Sequence, residues 1–189
     1  MVSDMIESVK KETKERMDKA VEAVRTDFTR LRTGKATPAL LDDLAVDYYG
    51  STMPIKQVAN ISAPEPRLLV IQPWDKKMLG EIEKTIQKSD MGFNPTNDGI
   101  VIRIPIPQLT EERRRDLVKI AKKGAEEGKI SIRNIRRDAN DKLKKAEKNG
   151  DISEDQMHDA QNEVQQLTDD HVKKIDDLLE WKEKDIMGG

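Results

Sequence analysis

Apolar residues recur at steps of three and four positions near both ends of the chain, whereas the region between follows a different pattern. The first set contains Ile6, Val9, Thr13, Met17, Ala20, Val24, Phe28 and Leu31. This spacing predicts an amphipathic helix from about Ser3 to Thr33, ending at Gly34 because glycine readily adopts the positive φ that ends helices. At about 1.5 Å per residue, the helix would be roughly 45 Å long.

The region from Lys35 to Pro107 is predicted to form a small mixed α/β domain. All eight prolines of the chain lie in it, and turn sequences separate short apolar segments. Four strands are predicted, at Leu44–Tyr49, Val58–Ser62, Arg67–Gln72 and Ile100–Ile104. A helix from about Asp75 to Lys88, with Asp75 as its N-cap, is predicted between the last two strands.

Helical spacing returns after Pro107 and predicts two more long helices. The first begins at Thr110, a good N-cap, and ends at Asn149 and Gly150. The next begins at Ser153, whose spacing from Gln156 predicts a capping box. Because the link between these helices is short, they should be antiparallel, and the three apolar stripes can close one bundle.

The whole pattern predicts an α+β protein of two domains, in which a small β-rich α/β domain (residues 34–105) interrupts a long antiparallel three-helix bundle (residues 1–33 and 106–189). The two crossings, near residues 32–35 and 104–108, form a candidate hinge. Its residues are Arg32, Thr33, Gly34, Lys35, Pro105 and Pro107. Glycine permits motion and proline restricts it, so the alternative is a rigid junction in which these residues only end helices.

Composition narrows the class of protein. The 189 residues are 37% charged, 35% hydrophobic and 3% aromatic, which with the periodicity favours slender, largely exposed helices over a thick core or disorder. The absence of cysteine excludes disulfides and cysteine metal sites. No apolar run reaches the roughly 20 residues of a membrane span, and the start lacks a signal-peptide pattern, so a cytoplasmic protein is predicted.

Charge is strongly segregated although the net charge is only −2. Residues 105–150 carry 14 basic and 8 acidic side chains, whereas residues 151–189 carry 4 and 12. At about 100° per residue, the basic residues of the second long helix gather on one side. This basic face consists of Arg115, Lys119, Lys122, Lys129, Arg133, Arg136, Arg137 and Lys144. The apolar stripe lies on the other side, so the basic face is predicted to face solvent.

The basic face contains three arginines within about one helical turn, Arg133, Arg136 and Arg137. Guanidinium groups bind phosphate bidentately, so this pattern predicts binding to an RNA backbone. The alternative is an ordinary solvated face that also pairs with the acidic third helix.

Candidate catalytic chemistry is nearly absent. The chain has no thiol, and its only histidines are His158 and His171. His171 falls on the core stripe and is predicted to be structural, while His158 lacks the second Glu-x-x-His motif that metal sites in helix bundles use. Gly34 and Lys35 resemble the end of a phosphate loop, but Ala36 stands where that loop needs Ser or Thr. No enzyme activity, cofactor or metal site is predicted.

Several motifs, in order along the chain, resemble the ribosome recycling factor family. They are Arg32–Gly34 followed by Pro38, Tyr48–Gly50, Leu109–Arg113 (LTEER), Arg133–Asp141 (RNIRRDAND) and Ile152–Asp155. The resemblance implies a two-domain, L-shaped protein that is not an enzyme. It also implies binding to the large subunit of the post-termination ribosome and, with elongation factor G and GTP, splitting of that ribosome with release of mRNA and tRNA.

The resemblance further implies which residues act. Contacts to ribosomal RNA map to Arg133, Arg136 and Arg137, the hinge maps to residues 32–35 and 105–107, and GTP hydrolysis belongs to the elongation factor. Two other classes stay open: a general RNA-binding protein or chaperone that uses the same face, and a helical adaptor that binds other helices. Because one bundle uses all three narrow stripes, a monomer is predicted.

Overall fold

The computed structural model of the protein describes residues 2–188, with side chains described from residue 4 onward. Residues 1 and 189, the ends of the predicted bundle, lie outside the described residues. The chain divides into two compact units. One ends at Arg32 and resumes at Glu111, and the other runs from Thr33 to Thr110. Across residues 2–188, none of the helices combines the length and the apolar character needed to cross a membrane.

The first unit is a bundle of three long helices, which confirms the predicted bundle. Their bounds are α1 (Val2–Arg30), α3 (Glu111–Lys148) and α4 (Glu154–Gly188). Each helix packs against the other two, and the predicted stripes supply buried residues such as Met17, Phe28 and Ile132. The first helix ends three residues before its predicted end, where the Leu31 amide donates to the Phe28 carbonyl at 3.2 Å.

The connection between α3 and α4 reverses the chain within a few residues. Gly150 has φ +80°, its amide donates to the Glu147 carbonyl at 3.0 Å, and the Asp151 amide donates to the Ala146 carbonyl at 2.9 Å. This pair of bonds is a Schellman motif. The predicted capping box is confirmed, since the Ser153 amide donates to Gln156 Oε1 at 2.8 Å and the Gln156 amide to Ser153 Oγ at 3.1 Å.

Lys182 is a charged residue buried in the last turns of α4. Its side chain is 4% exposed, and its Nζ donates to the carbonyl of Leu31 at 3.2 Å and lies 3.5 Å from Asp185 Oδ2. A cation at the carbonyl end of a helix is stabilised by the helix dipole. The end of α1 is therefore fixed by the end of α4.

The second unit contains six strands around one helix. The strands are β1 (Ala45–Tyr48), β2 (Ser51–Pro54), β3 (Ala59–Glu65), β4 (Leu68–Pro73), β5 (Thr96–Asn97) and β6 (Ile102–Pro105), and the helix is α2 (Leu79–Lys88). The strands β3, β4, β6 and β5 form an antiparallel sheet in that order, and β1 and β2 form a separate hairpin. The prediction of four strands missed β2 and β5, which are short and largely polar.

β3 differs from its prediction because it continues past Ser62, where the predicted strand ends, and through Pro64. Proline lacks the amide that a central strand needs, but β3 lies at the edge of the sheet. The register also shifts between Ser62 and Glu65, so Pro64 falls at an irregularity of the pairing.

The helix predicted from Asp75 to Lys88 begins with a short 3-10 turn, Lys76–Met78, before α2. Asp75 accepts a hydrogen bond from the Lys77 amide at 3.0 Å, which confirms it as a cap. The helix contributes Ile82 and Ile86 to the core of this unit. Both are fully buried, as are Leu69 and Ile71 of β4 and Ile102 and Ile104 of β6.

Asp98 orders the turn between β5 and β6. Its carboxylate accepts from the amides of Ile100 and Val101, each at 2.9 Å, and from Arg103 Nη1 at 2.8 Å. The Val101 amide, followed by the Arg103 guanidinium, holds the pKa of Asp98 far below its ordinary value.

This low pKa predicts acid sensitivity that Asp98→Asn reduces. In the unfolded chain an aspartate titrates near pH 4. The stabilisation from Asp98 is therefore complete above about pH 4 and is lost as the pH falls toward the folded pKa. Urea denaturation at a series of pH values should show a smaller acid loss in Asp98→Asn than in the parent chain. Asp43→Asn, at an exposed site, is the control, and equal acid loss in all three proteins would contradict the prediction.

Candidate functional site

The basic face lies along α3, and the opposite side of that helix is buried in the bundle. Ile132, Ile135 and Ala139 are at most 5% exposed, so Arg133 and Arg137 project outward. Helical spacing alone produces this arrangement, because neighbouring residues on an α-helix point about 100° apart.

Six members of the basic face are exposed. They are Arg115, Lys119, Lys122, Arg133, Arg137 and Lys144. Arg115 lies 3.9 Å from Glu111, and Arg133 Nη1 lies 3.3 Å from Glu126 Oε1. Within residues 4–188, the structure gives no polar partner to Lys119, Arg137 or Lys144. These three cations can meet a ligand without breaking an ion pair. Arg115 and Arg133 pair only with exposed carboxylates, and such ion pairs are weak.

Three members of the basic face contact α4, and one of them, Lys122, is also among the exposed six. Lys129 is 18% exposed and pairs with Asp176, Lys122 Nζ lies 4.0 Å from Glu183, and Arg136 Nη1 donates to Gln165 Oε1 at 3.2 Å. The expectation that the whole basic face meets solvent is therefore wrong for Lys129.

Lys129 and Arg136 contact α4 because of their position around α3. Lys129 and Arg136 each follow a fully buried residue, Ala125 and Ile132, by four positions, which places them at the edge of the packed stripe. At this edge of the basic face, the side chains pair with the acidic helix α4, which is the alternative to RNA binding given by the sequence.

The exposed side of α3 includes residues that the predicted basic face does not contain. Lys123 and Lys148 are exposed and each lies four residues after a member of the basic face, so they extend its outer edge. Ile130 is 48% exposed and is placed by the same spacing beside Arg133 and Arg137. The spacing of these residues was visible in the sequence.

The two histidines lie in different surroundings, His171 inside the bundle and His158 on its surface. His171 is 2% exposed, with Nδ1 2.6 Å from the Leu167 carbonyl oxygen and Nε2 2.7 Å from Asp18 Oδ1, which confirms its predicted structural role. The hydrogen bond from His171, followed by that from Lys14, lowers the pKa of Asp18. His158 lies on the surface with Nε2 3.6 Å from Glu154.

The candidate hinge residues lie at two adjacent crossings. Gly34 has φ +78°, and a Cβ placed there would lie 3.0 Å from Leu109 Cγ, so the first crossing packs against the second. Arg32 is exposed, Thr33 is buried and Lys35 is half-buried.

Hydrogen bonds tie both crossings to the turn between β3 and β4. The Ala36 amide donates to the Pro66 carbonyl at 2.7 Å, and the Ile106 amide donates to the Arg67 carbonyl at 2.8 Å. Pro105 pairs with Leu68 as the last residue of β6. Between these bonded residues and the bundle lie residues 32–35 in the first crossing and 107–110 in the second. Of the candidate hinge prolines, Pro107 lies in these segments and Pro105 does not.

The fold is that of a two-domain α+β protein in which a sheet unit interrupts a three-helix bundle. The second bundle helix carries an outer face rich in arginine. The family model described as ribosome recycling factor matches residues 24–187. The ribosome-recycling factor of Carboxydothermus hydrogenoformans is 57% identical over 183 residues, covering 97% of this chain and 99% of that protein. The one from Halothermothrix orenii is 56% identical with the same coverage.

Solved structures agree with these relatives. A solution structure of the ribosome recycling factor matches with a TM-score of 0.78 and 43% identity, covering 97% of this chain and 98% of that one. A model of the T. thermophilus ribosome recycling factor matches with a TM-score of 0.64 and 48% identity, covering 97% and 99%. The chain belongs to the ribosome recycling factor family.

Proposed function

We propose that this protein recycles ribosomes after termination. It binds the large subunit of the post-termination ribosome through the exposed part of the basic face. With elongation factor G and GTP, it splits the ribosome into subunits and releases mRNA and tRNA. The observation that carries the proposal is the family match along nearly the whole chain, supported by the exposure of Arg133 and Arg137 in the RNIRRDAND segment of α3.

The proposed partners follow from a related complex. In it, models of the T. thermophilus ribosome recycling factor and the E. coli elongation factor G are bound to the E. coli post-termination complex. By analogy, this chain meets both partners at once. It performs no catalysis itself, and GTP hydrolysis by the elongation factor supplies the energy.

The proposed RNA contact uses phosphates rather than bases. From Arg115 to Lys144 the basic face extends about 44 Å at the rise of an α-helix, long enough to meet several phosphates. Arg133 exchanges its exposed contact with Glu126 for a bidentate phosphate contact, and Arg137 binds beside it. Contacts of this kind fix position and orientation on the RNA without reading its sequence.

The proposed hinge consists of residues 32–35 and 104–108, between a bundle of residues 1–33 and 106–189 and a domain of residues 34–105. The positive φ of Gly34 and the bond that fixes Ala36 support the first part of this hinge, residues 32–35. In the second part, Pro105 and Ile106 are bonded to the strand unit, so motion there falls at residues 107 and 108. Motion is then confined to a few residues, as hinges require.

Gly34→Ala is expected to destabilise the protein more than Gly92→Ala. Both glycines have positive φ, which costs about 1–2 kcal/mol for alanine. A Cβ at Gly34 also meets Leu109 Cγ at 3.0 Å, whereas one at Gly92 meets nothing within 4 Å. Urea denaturation should give a difference of about 1 kcal/mol or more. Equal losses would mean that Leu109 moves aside freely.

Light scattering by post-termination ribosomes tests the proposed function. The protein, elongation factor G and GTP are mixed with the ribosomes, and each is omitted in turn. A fall in scattering that needs all three supports recycling. If the protein binds the ribosomes but scattering does not fall, it is an RNA-binding protein that does not split them.

A further inference from the structure

A small pocket in the second unit collects unusual side chains. It has a volume of about 180 Å³ and is lined by Tyr48, Met53, Gln57, Val58, Trp74 and Asp75, and we call it the aromatic pocket. The chain has only six aromatic residues, and three of them lie at this pocket or its rim: Tyr48, Tyr49 and Trp74. Trp74 is 70% exposed, so its ring contributes little to the core and is available to a ligand.

Tyr49 stands at the rim in a costly conformation. It occupies the turn between β1 and β2 with φ +50°, where a bulky residue is unfavourable. Tyr49 is 67% exposed, so packing in the core does not explain why a tyrosine occupies this position. The ring packs edge-on against Tyr48, with centroids 4.7 Å apart, and its hydroxyl donates to Asp75 Oδ2. Tyr49 thereby fixes one aromatic wall and the carboxylate of the pocket.

Asp75 is the only charged residue among those lining the pocket. Its Oδ1 accepts from the Lys77 amide at 3.0 Å and its Oδ2 from the Tyr49 hydroxyl. A carboxylate offers about four acceptor positions, so each oxygen can accept one more bond. The bonds from Tyr49 and Lys77 lower the pKa of Asp75, which keeps it ionised at neutral pH. The pocket is therefore an aromatic site with one negative charge.

We propose that the aromatic pocket binds an arginine side chain of a protein partner, with the guanidinium stacked on Trp74 and donating to the carboxylate of Asp75. A guanidinium is planar, stacks on aromatic faces and donates through a fork that matches a carboxylate. Met53 and Val58 offer apolar surface to its aliphatic stem. The negative charge disfavours a nucleotide phosphate. Arginine binding here is independent of the proposed action on ribosomes.

NMR titration of the full-length protein tests this pocket directly. In Trp181→Phe, Trp74 carries the only indole, and position 181 is itself exposed. N-acetyl-arginine amide should shift the Trp74 indole signal saturably, with a Kd on the order of 10 mM for a single side chain. N-acetyl-citrulline amide, which has a similar shape without the charge, should cause no saturable shift.

Two charge-matched variants separate the carboxylate from general electrostatics. Asp75→Asn should weaken binding about fivefold, and it keeps a side chain that can cap the Lys77 amide. Asp43→Asn removes the same charge at an exposed position outside the pocket and should bind as the parent does. Unchanged binding in Asp75→Asn would overturn the proposal. So would equal shifts from the citrulline amide or adenosine monophosphate, or no saturable shift with the arginine amide up to roughly 100 mM.

Discussion

Gly128→Ala is expected to destabilise the bundle, whereas Gly124→Ala, one turn earlier on the same helix, is expected to stabilise it. A Cβ at Gly128 would lie 2.5 Å from Val24 Cγ2 and 3.2 Å from Ile175 Cδ1, so the side chains of both neighbouring helices would have to shift. A Cβ at Gly124 would lie 3.6 Å from Phe28 Cε1, an ordinary contact. Alanine is favoured over glycine within a helix by about 1 kcal/mol at either position.

Since that helical gain is common to both variants, their difference isolates the cost of overpacking, about 1–3 kcal/mol. Urea denaturation followed by helix content would measure it. Gly124→Ala serves as the matched control, because it makes the same chemical change on the same helix. If both variants were stabilised equally, the close approach of the three helices at Gly128 would be soft rather than fixed.

Arg133→Ala combined with Arg137→Ala is expected to weaken binding to the large ribosomal subunit by about 100-fold or more. Each charge-assisted contact to phosphate contributes about 1.5 kcal/mol or more, and tenfold in affinity corresponds to 1.4 kcal/mol. Each lost contact should also lower the slope of log affinity against log salt by about one. Both side chains are exposed, so helix content and unfolding should change little.

Binding at several salt concentrations, measured by co-sedimentation with large subunits, checks this expectation. Lys19→Ala with Lys174→Ala is the control, because it removes two positive charges from exposed positions on α1 and α4. If the control weakens binding as much as the arginine pair, net charge rather than the basic face attracts the ribosome. An unfolded arginine variant would mean that these side chains support the bundle.

The three long helices were predictable because each carries its own periodic signal. A stripe such as Val24 and Phe28 on α1 needs no knowledge of its partner to be recognised. The strands β2 and β5 lacked such a signal. Thr96 and Asn97 are both exposed and become a strand only by pairing with Arg103 and Ile102. Strands of this kind are defined by their neighbours, which local pattern does not reveal.

The candidate site was predictable where it depends on the spacing within one helix, and not where it depends on contacts between elements. Helical spacing placed Arg133 and Arg137 on one side of α3, and the structure agrees. It did not show that Lys129 would reach Asp176, because the rotation of α3 against α4 depends on every buried contact between them. The aromatic pocket was beyond local pattern for a similar reason, since the fold alone brings Trp74 to Tyr48.

The interruption of the bundle by the second unit has a consequence for synthesis on the ribosome. All strand pairs of that unit lie within residues 33–110, so it can fold as soon as this segment is complete. The apolar stripe of α1 is made earlier but finds its partners, such as Gly128 and Ile175 around Val24, only much later. Chains fold domain by domain as they are made, and exposed apolar surface invites aggregation. The first helix to be synthesised, α1, is therefore the last to bury its apolar stripe. Its many charged residues keep it soluble until α3 and α4 have been made.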